Sequence, residues 1–242
     1  MYKRFTNKVV LITGAGRGIG RATAINFAKE GAKIALISRT EKELNEVCNE
    51  IKKSRGECIK VKADVSREID ILNFIRTTKE KFGTIDILVN NAGAHIEKEI
   101  IDLDSDEWDY VLDVNLKATF LCSREALKIM VKKNYGKIIN IASMMAGRKG
   151  LAKIGAYCAA KSAVISLTVS MASEVKEFNI NINAVKPSRV ETEMFKKFHP
   201  DYVKPNFMKP EDIAKVVLFL ASEDAKAIKG AAIDVHNGQD LS

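Results

Sequence analysis

The amino-terminal stretch Val9-Val-Leu-Ile-Thr-Gly-Ala-Gly-Arg-Gly-Ile-Gly20 decides the fold. It begins with an apolar, β-branched run typical of a strand buried on both faces of a parallel sheet. Glycine then occupies every second position from Gly14 to Gly20, and a helical pattern follows. Glycine permits a tight strand-to-helix turn, and the amino terminus of a helix favours phosphate. We therefore interpret this stretch as a turn that binds a dinucleotide pyrophosphate rather than a purely structural turn.

Short apolar runs alternate with longer amphipathic stretches along the rest of the chain. Strands that alternate with helices imply βαβ crossovers and a mainly parallel sheet covered on both faces. The pattern predicts an α/β, doubly wound, Rossmann-type fold with a seven-stranded parallel sheet. The predicted strands are 9–13, 33–38, 58–62, 85–90, 137–143, 181–186 and 231–235. The predicted helices are 22–29, 41–54, 68–82, 105–133, 156–177 and 211–222.

Composition indicates one globular domain spanning residues 1–242, with 46% hydrophobic and 29% charged residues and no dividing linker or repeat. No apolar run approaches bilayer length and no signal-peptide segment precedes the first strand, so no membrane association is expected. The four cysteines lack metal-ligand spacing and predict a reduced, cytoplasmic protein without a metal site. The net charge of +8 is scattered among acidic residues. This distribution argues against nucleic acid and favours small phosphate-bearing partners.

A second stretch, from Ser143 to Lys161, carries candidate chemistry. Tyr157 and Lys161 are four residues apart in a run that favours a helix, so both lie on one helix face. A free tyrosine has a pKa of about 10, and a nearby lysine cation would move the pKa toward neutrality. Ser143 ends a predicted strand, at the edge where open α/β sheets bind ligands. A hydroxyl that polarises a carbonyl oxygen, next to a group that passes a proton, is suited to carbonyl reduction.

The end of the second predicted strand indicates the choice of dinucleotide. An acid at this point would bind the ribose hydroxyls of NAD. This chain instead has Ser38 and Arg39, and Arg17 in the glycine-rich turn is a second cation. Because arginine suits a 2′-phosphate, the sequence predicts NADP. NAD is the second choice, since Glu41 lies close by.

Three further polar features have both a functional and a structural interpretation. Asp64 either caps the following helix or faces an adenine ring. The segment Asn91-Ala92-Gly93 either passes the cofactor ribose or is a plain turn. Asn115 lies within a long apolar helix, where a buried amide is expected to kink the helix or bind a water.

These features together resemble the short-chain dehydrogenase/reductase family, and the resemblance covers essentially the whole chain. Five motifs occur in the family order and at family-like spacing, which makes coincidence a poor explanation. They are T-G-x-x-x-G-x-G at 13–20, N-A-G at 91–93, Asn115, Ser143, and Y-x-x-x-K at Tyr157 and Lys161.

The resemblance implies a role for each predicted catalytic residue. Tyr157 would be the acid/base, and Ser143 would hold and polarise the carbonyl oxygen. Lys161 would bind the nicotinamide ribose and lower the Tyr157 pKa, while Asn115 would hold a water that relays protons through Lys161. The cofactor carries the hydride, so the protein supplies orientation and electrostatics.

The resemblance also implies the cofactor and substrate contacts. The segment 186–192 resembles the one that fixes the nicotinamide carboxamide, although Ser188 stands where glycine is usual. A short substrate lid is expected at about 188–210. Predicted cofactor contacts are Gly14, Arg17, Gly18, Ile19, Gly20, Ser38, Arg39, Asp64, Asn91, Ala92, Gly93, Tyr157, Lys161, Pro187, Val190 and Thr192. Predicted substrate contacts are His95, Met144, Arg148 and Arg189, although a surface histidine beside a turn explains His95 equally well. Arg148, Lys149 and Arg189 near the predicted pocket suggest a substrate with negative charge.

Within the family, the pattern looks most like 3-oxoacyl-(acyl-carrier-protein) reductases and the sugar or alcohol dehydrogenases close to them. The expected substrate is a carbonyl compound or secondary alcohol, with a carrier-bound 3-oxoacyl thioester as one option. The basic stretch Lys128, Lys132, Lys133 and Lys137 suits an acidic carrier protein, although a solvated helix end explains it more simply. Such enzymes are usually tetramers, so a homotetramer or homodimer is expected.

Two functions of other classes compete with this interpretation. One is a non-catalytic protein that senses NADP(H) or serves as an assembly subunit, which would have no need of an intact tyrosine and lysine in register. The other is a nucleotide-sugar epimerase of the extended branch, which shares Y-x-x-x-K. The spacing of the glycine-rich turn and the short carboxyl-terminal region count against the epimerase.

Overall fold

Strands and helices alternate in the computed structural model, which describes residues 3–147, 151–198, 200 and 207–238. The strands are β1 Val9–Thr13, β2 Lys33–Ser38, β3 Cys58–Lys62, β4 Ile87–Asn90, β5 Gly136–Ile141, β6 Ile180–Pro187 and β7 Ala232–Val235. The helices are α1 Gly18–Lys29, α2 Glu41–Lys53, α3 Glu68–Phe82, α4 Ser105–Leu112, α5 Ala118–Met130, α6 Gly155–Glu174, α7 Glu193–Phe198 and α8 Pro210–Ala221.

The seven strands form one parallel sheet in the order β3-β2-β1-β4-β5-β6-β7. This confirms the predicted doubly wound, Rossmann-type fold, and each predicted strand end lies within two residues of the observed one. The chain reverses its direction of travel across the sheet between β1 and β4. In open parallel sheets, this reversal leaves a crevice at the carboxyl ends of the strands, where ligands bind.

Helices cover both faces of the sheet because alternate residues of each strand point to opposite sides. In β1, Val10 and Ile12 belong to the same buried cluster as Phe27 of α1, together with residues of α2 and α8. Leu11 belongs to the opposite cluster with Phe74 of α3, together with residues of α5 and α6. All five residues of β1 are buried, which explains their continuous apolar sequence.

The long helix predicted at 105–133 is interrupted by a π-helical turn, Asp113–Lys117. There the Ala118 amide donates to the Asp113 carbonyl, five residues back. The Asn115 side chain donates to the carbonyls of Val111 and Ala94, both at 2.8 Å. The amide side chain thus competes for a helix carbonyl, and the predicted disturbance at Asn115 is confirmed.

A chain of buried polar side chains ties α5 and α6 to the middle of the sheet. Asn90 of β4 donates to Ser123 of α5 at 2.9 Å and to Asn140 of β5 at 2.8 Å. Asn140 in turn donates to Thr168 of α6 at 2.9 Å. Because buried polar groups demand partners, these bonds fix the position of α6 on the sheet. This matters because α6 carries Tyr157 and Lys161.

The segment 188–210 contains a helix, α7, that was not predicted. The Thr192 hydroxyl accepts a hydrogen bond from the Phe195 amide at 3.2 Å and so stabilises the start of the helix. Val190 forms an isolated parallel bridge with Met208, which draws the two ends of the segment together. The lid predicted at 188–210 also includes 199 and 201–206, which lie outside the described residues.

The predicted basic docking stretch does not form an exposed patch. Lys137 is fully buried on β5 and donates to Asn181 at 2.9 Å, and burial lowers its pKa. Lys133 forms an ion pair with Asp86 and is part-buried. Two of the four lysines therefore have inward partners, because the strand and the end of the preceding helix lie against the core. Of the helices in the described ranges, none is both long and apolar enough to cross a bilayer.

Candidate active site

A cavity of about 730 Å³ opens at the carboxyl edge of the sheet, where ligand pockets of this fold are expected. We call the part formed by the glycine-rich turn and the ends of β2 and β3 the cofactor half. The part formed by the residues after β4, the residues before α6, and α7 is the substrate half. The predicted residues that line the cavity are Gly14, Arg17, Gly18, Ile19, Ser38, Arg39, Asp64, Asn91, Ala92, Gly93, His95, Ser143, Tyr157, Lys161, Pro187, Arg189, Val190 and Thr192.

The Asn91 side chain holds the glycine-rich turn by hydrogen bonds to its backbone. Its side-chain amide donates to the carbonyls of Thr13 and Gly14, both at 3.0 Å. Gly14 has a φ of +63°, which only glycine adopts without strain. The Asn91 side chain thus holds the turn in place, and the segment 91–93, predicted to pass the cofactor ribose, lines the cavity. Gly20 does not line the cavity but packs beneath the turn, where a Cβ would lie 2.3 Å from the Gly14 carbonyl oxygen.

Arg39 lies at the end of β2, as predicted, and its guanidinium contacts two neighbours. It donates to the Tyr110 hydroxyl at 2.7 Å and lies 3.9 Å from a carboxylate oxygen of Asp64. Asp64 accepts hydrogen bonds from the amide and hydroxyl of Ser66, so it stabilises a tight turn. It does not cap α3, because that helix begins later, at Glu68. The Arg39 side chain is 60% exposed and retains freedom to turn toward a ligand.

An acidic residue that the sequence analysis missed also faces this corner. Glu43, in the first turn of α2, lies 3.6 Å from Arg17. A Cβ at Gly16 would lie 2.6 Å from the Glu43 carboxylate and 3.2 Å from the Ser38 hydroxyl. Glu41, the acid considered from the sequence, instead pairs with Lys60 at 3.4 Å. Residues two apart on a helix point to different sides. The helical period could therefore have shown that Glu41 and Glu43 do not face the same neighbours.

Ser143 and Tyr157 meet in the centre of the cavity wall. Their hydroxyls are hydrogen-bonded, and the Ser143 hydroxyl also accepts from the Met145 amide at 3.1 Å. Burial raises the pKa of Tyr157, and the hydrogen bond from Ser143 offsets part of that rise. The direction is opposite to the predicted lowering by Lys161. The reason is that the cost of removing the charged phenolate from water exceeds the stabilisation that its neighbours give to the phenolate.

Lys161 lies one helical turn from Tyr157 but hydrogen-bonds to the sheet. Its ammonium donates to the Ile141 carbonyl at 2.7 Å and lies 5.8 Å from the centre of the Tyr157 ring. Burial lowers its pKa to about 8. Nearby, the Asn115 side-chain oxygen is buried and has no hydrogen-bond partner among the described residues. A Cβ at Gly93 would lie 3.1 Å from that oxygen and 3.8 Å from the Lys161 nitrogen, so both groups flank Gly93.

The segment after β6 closes the cavity between its two halves. Pro187 accepts a hydrogen bond from the Met144 amide at 3.0 Å. A Cβ at Gly18 would lie 3.3 Å from the Thr192 methyl, which places Thr192 against the glycine-rich turn. Met144, predicted as a substrate contact, is buried away from the cavity, and its neighbour Met145 lines the cavity instead. After a strand ends, the direction of each side chain depends on the turn, which the period of two does not predict.

The substrate half is largely aromatic and apolar. His95 lies there as predicted, with its ring centre 4.9 Å from that of Tyr157 and 4.7 Å from that of Phe198. Arg189 also lines the cavity, whereas Arg148 lies outside the described residues. The sequence analysis missed further lining residues, most of them on α7 or just before α6. These are Glu97, Met145, Leu151, Lys153, Met194, Phe195 and Phe198.

Comparison with known proteins identifies the architecture. The chain matches the family model of short chain dehydrogenases over residues 8–203. The protein belongs to the short-chain dehydrogenase family. Solved structures of this fold agree closely. Levodione reductase superposes with a TM-score of 0.91 at 32% identity, over 98% of each chain. A short chain dehydrogenase from Burkholderia cenocepacia in complex with NADP gives 0.90 at 29% identity, over 97% of this chain and 98% of that chain.

Curated relatives of this short-chain dehydrogenase have several substrates. It is 36% identical to a meso-2,3-butanediol dehydrogenase from Serratia marcescens, over 99% of this chain and 97% of that protein. It is also 36% identical to a 3-oxoacyl-(acyl-carrier-protein) reductase from Synechocystis, over 96% and 97%. An NAD-dependent glycerol dehydrogenase from Listeria innocua is 34% identical, over 96% and 94%. The chain is thus an oxidoreductase of the alcohol and carbonyl class.

The residues of the cavity fit the nicotinamide dinucleotide that short-chain dehydrogenases bind. Gly14 and Gly18 line the cavity with positive φ angles that favour glycine, and the amino terminus of α1, which begins at Gly18, favours the charge of a pyrophosphate. Arg17 and Arg39 flank the corner next to β2. The buried, unpaired Asn115 oxygen near Lys161 indicates a further polar group or water at the far end.

Proposed function

We propose that this short-chain dehydrogenase transfers hydride reversibly between NADP(H) and a secondary alcohol or its carbonyl. The observation that carries the proposal is the pairing of buried Ser143 with half-buried Tyr157 at the junction of the two cavity halves. Lys161 lies one helical turn away. The nicotinamide, when bound, supplies or accepts the hydride, so the protein contributes alignment and proton transfer.

Ser143 and Tyr157 have different roles at the substrate oxygen. In reduction, the Ser143 hydroxyl holds the carbonyl oxygen by a hydrogen bond, and the Tyr157 phenol gives up its proton to that oxygen. Because burial raises the pKa of Tyr157, the phenol stays protonated at neutral pH and is ready to donate.

Lys161 and Asn115 support the return of the proton. A Lys161 cation next to the tyrosine favours the phenolate electrostatically. Its pKa of about 8 means that it still carries charge at neutral pH but loses it readily above that. The unpaired Asn115 oxygen is free to accept a hydrogen bond from a water. A water held there, near Lys161, would relay protons to and from Tyr157.

Arg17 and Arg39 support the choice of NADP(H), because arginine pairs well with a 2′-phosphate. Glu43 supports a second candidate, an NAD-dependent sugar or alcohol dehydrogenase. Its carboxylate faces Arg17 and Ser38, where it can accept hydrogen bonds from ribose hydroxyls. The NAD-dependent glycerol dehydrogenase among the relatives shows that both cofactors occur among similar chains.

The cofactor choice is tested by fluorescence titrations of wild type with NADPH and NADH, repeated with Arg39→Asp. We expect wild type to prefer NADPH and the variant to bind it about tenfold or more weakly. Lys42→Asp, which changes an exposed charge on α2, is the matched control. A wild-type preference for NADH that Arg39→Asp leaves unchanged would establish the NAD alternative.

The reaction class is tested by following the reduced cofactor in a panel of ketones, hydroxy ketones, 3-oxoacyl thioesters and secondary alcohols. Small substrates are favoured over carrier-bound ones, because two of the four lysines of the predicted docking stretch are turned inward. Butanediol and glycerol dehydrogenases among the relatives support the same size class. Tight NADPH binding without turnover of any substrate would identify the non-catalytic sensor or assembly subunit instead.

We further propose assembly into a homodimer or homotetramer through α5 and α6. Phe120 of α5 and Val169 of α6 are large apolar residues that remain 42% and 50% exposed. Burial of such residues between copies would be favourable. Light scattering is expected to give at least twice the monomer mass, and Val169→Glu is expected to reduce it. A monomeric wild type would exclude this assembly.

A further inference from the structure

His95 lies in the substrate half, in ring contact with the predicted acid/base Tyr157. The planes of its ring and the Tyr157 ring meet at 83°, with 4.9 Å between ring centres. Phe198 of α7 covers the other side at 4.7 Å. The His95 side chain is 13% exposed, so it is a wall of the cavity rather than a surface group. A substrate oxidised or reduced at Tyr157 must therefore pass next to this imidazole.

Glu97 determines which nitrogen of His95 can meet a ligand. The His95 Nε2 atom lies 3.0 Å from the Glu97 carboxylate. Because a carboxylate can only accept, this contact keeps a proton on Nε2. In the neutral imidazole, Nδ1 is then an acceptor. It has no hydrogen-bond partner in the part of the chain that the structure describes. A hydroxyl group is the ligand that such a nitrogen recognises.

We propose that His95, oriented by Glu97, binds a second hydroxyl on the carbon next to the reacting carbon. The inference rests on the proposed alcohol and carbonyl oxidoreduction at Tyr157, and it assigns the substrate class as small vicinal diols and α-hydroxy ketones. In oxidation, the phenolate form of Tyr157 would accept the proton of one carbinol hydroxyl, and the oxidised nicotinamide, when bound, would accept the hydride from the same carbon. The neighbouring hydroxyl stays intact and keeps its hydrogen bond to His95.

The placement of His95 favours this substrate class. Its ring packs against the Tyr157 ring in the wall of the same cavity, so a small substrate held at Tyr157 has the imidazole beside it. Phe198 and Met145 add apolar surface to the cavity wall, which suits the alkyl part of a small diol.

The test compares substrates that differ by one hydroxyl. Wild type is assayed with 2,3-butanediol against 2-butanol, and in reduction with 3-hydroxy-2-butanone against 2-butanone. We expect kcat/KM to favour the hydroxylated member of each pair by about tenfold or more. His95→Phe is expected to reduce that ratio to about one, because phenylalanine fills the space but cannot accept a hydrogen bond.

Two controls separate recognition from a structural role. His95→Gln retains an acceptor and is expected to restore at least part of the ratio. Ile101→Ser changes a residue that is 84% exposed and is expected to leave the ratio as in wild type. A purely structural role for His95 would lower turnover of both substrates equally and leave the ratio intact, which would overturn the proposal.

The remaining outcomes distinguish this inference from the proposed function. If the enzyme turns over other alcohols or ketones but none of the four test substrates, only the vicinal-diol assignment is overturned. A preference for a 2-hydroxy acid over the corresponding diol would also overturn it, because the site would then recognise an anion. Absence of turnover with every substrate in the panel would overturn the proposed function itself.

Discussion

The two halves of the cavity are built in different ways. In the cofactor half, the lining residues lie at the carboxyl ends of neighbouring strands, and hydrogen bonds from the Asn91 side chain to backbone carbonyls hold the glycine-rich turn. In the substrate half, the walls come from three segments far apart in sequence, held by ring contacts such as that of His95 with Phe198. Strand register fixes positions closely, whereas loops vary in length and direction. The cofactor half is therefore the more rigid and the more predictable of the two.

The largest effect is expected at the boundary between the halves. Tyr157→Phe removes the proton donor and is expected to lower kcat about a thousandfold, within the range for general acid–base catalysis. Cofactor affinity should change less than about twofold, because the phenyl ring keeps its packing. Steady-state kinetics and NADPH titration measure the two quantities. Tyr135→Phe, remote from the cavity, is the control, and a fully active Tyr157→Phe enzyme would refute the assigned chemistry.

Rigidity of the cofactor half is tested by Gly20→Ala. The new Cβ would lie 2.3 Å from the Gly14 carbonyl oxygen and 2.5 Å from the Asn91 amide, so the turn must shift. We expect the free energy of unfolding to fall by about 2–3 kcal/mol and NADPH affinity to fall with it. Urea unfolding measures the first quantity. Gly155→Ala is the matched control, because its nearest neighbour is a flexible side-chain atom of Ile100 at 3.6 Å.

Lys161 gives a pH-dependent test of burial at the same boundary. Burial lowers its pKa to about 8, whereas the unfolded chain keeps the proton until about pH 10. The unfolded chain thus binds more protons in this window, and the contribution of Lys161 to stability rises with pH.

Compared with Lys161→Met, wild type is expected to gain about 1–2 kcal/mol of unfolding free energy between about pH 7.5 and about pH 9.5. Urea unfolding at the two pH values measures the difference. Lys42→Met, at an exposed position of α2, should follow wild type. An identical pH slope in wild type and Lys161→Met would show that Lys161 keeps its proton when folded.

The smallest effect concerns the missed acid in the cofactor half. Glu43→Gln removes the carboxylate that competes with a 2′-phosphate for Arg17, so NADPH affinity is expected to rise about threefold. The effect is small because the Arg17 side chain is 58% exposed and solvent screens the pair. Glu41→Gln, which breaks the pair with Lys60, is the control. Weaker NADPH binding by Glu43→Gln would contradict the proposed competition.

The sequence by itself determined the sheet, the glycine-rich turn and the pairing of Tyr157 with Lys161. Each of these depends on a local period, which is two along a strand and about four along a helix. The same local logic predicted that a buried amide at Asn115 would disturb its helix, and a π-turn lies there.

Only the tertiary structure decided which distant groups share the cavity. Glu43 reaches Arg17 because α2 folds back beside the glycine-rich turn, and His95 lies between Tyr157 and Phe198 because three separate segments converge. The same applies to Lys137, whose buried partner Asn181 is on the neighbouring strand. The depth of burial, which sets the pKa of Tyr157 and of Lys161, also arises from packing. No local period encodes these contacts, because they depend on where chain segments far apart in sequence are brought together.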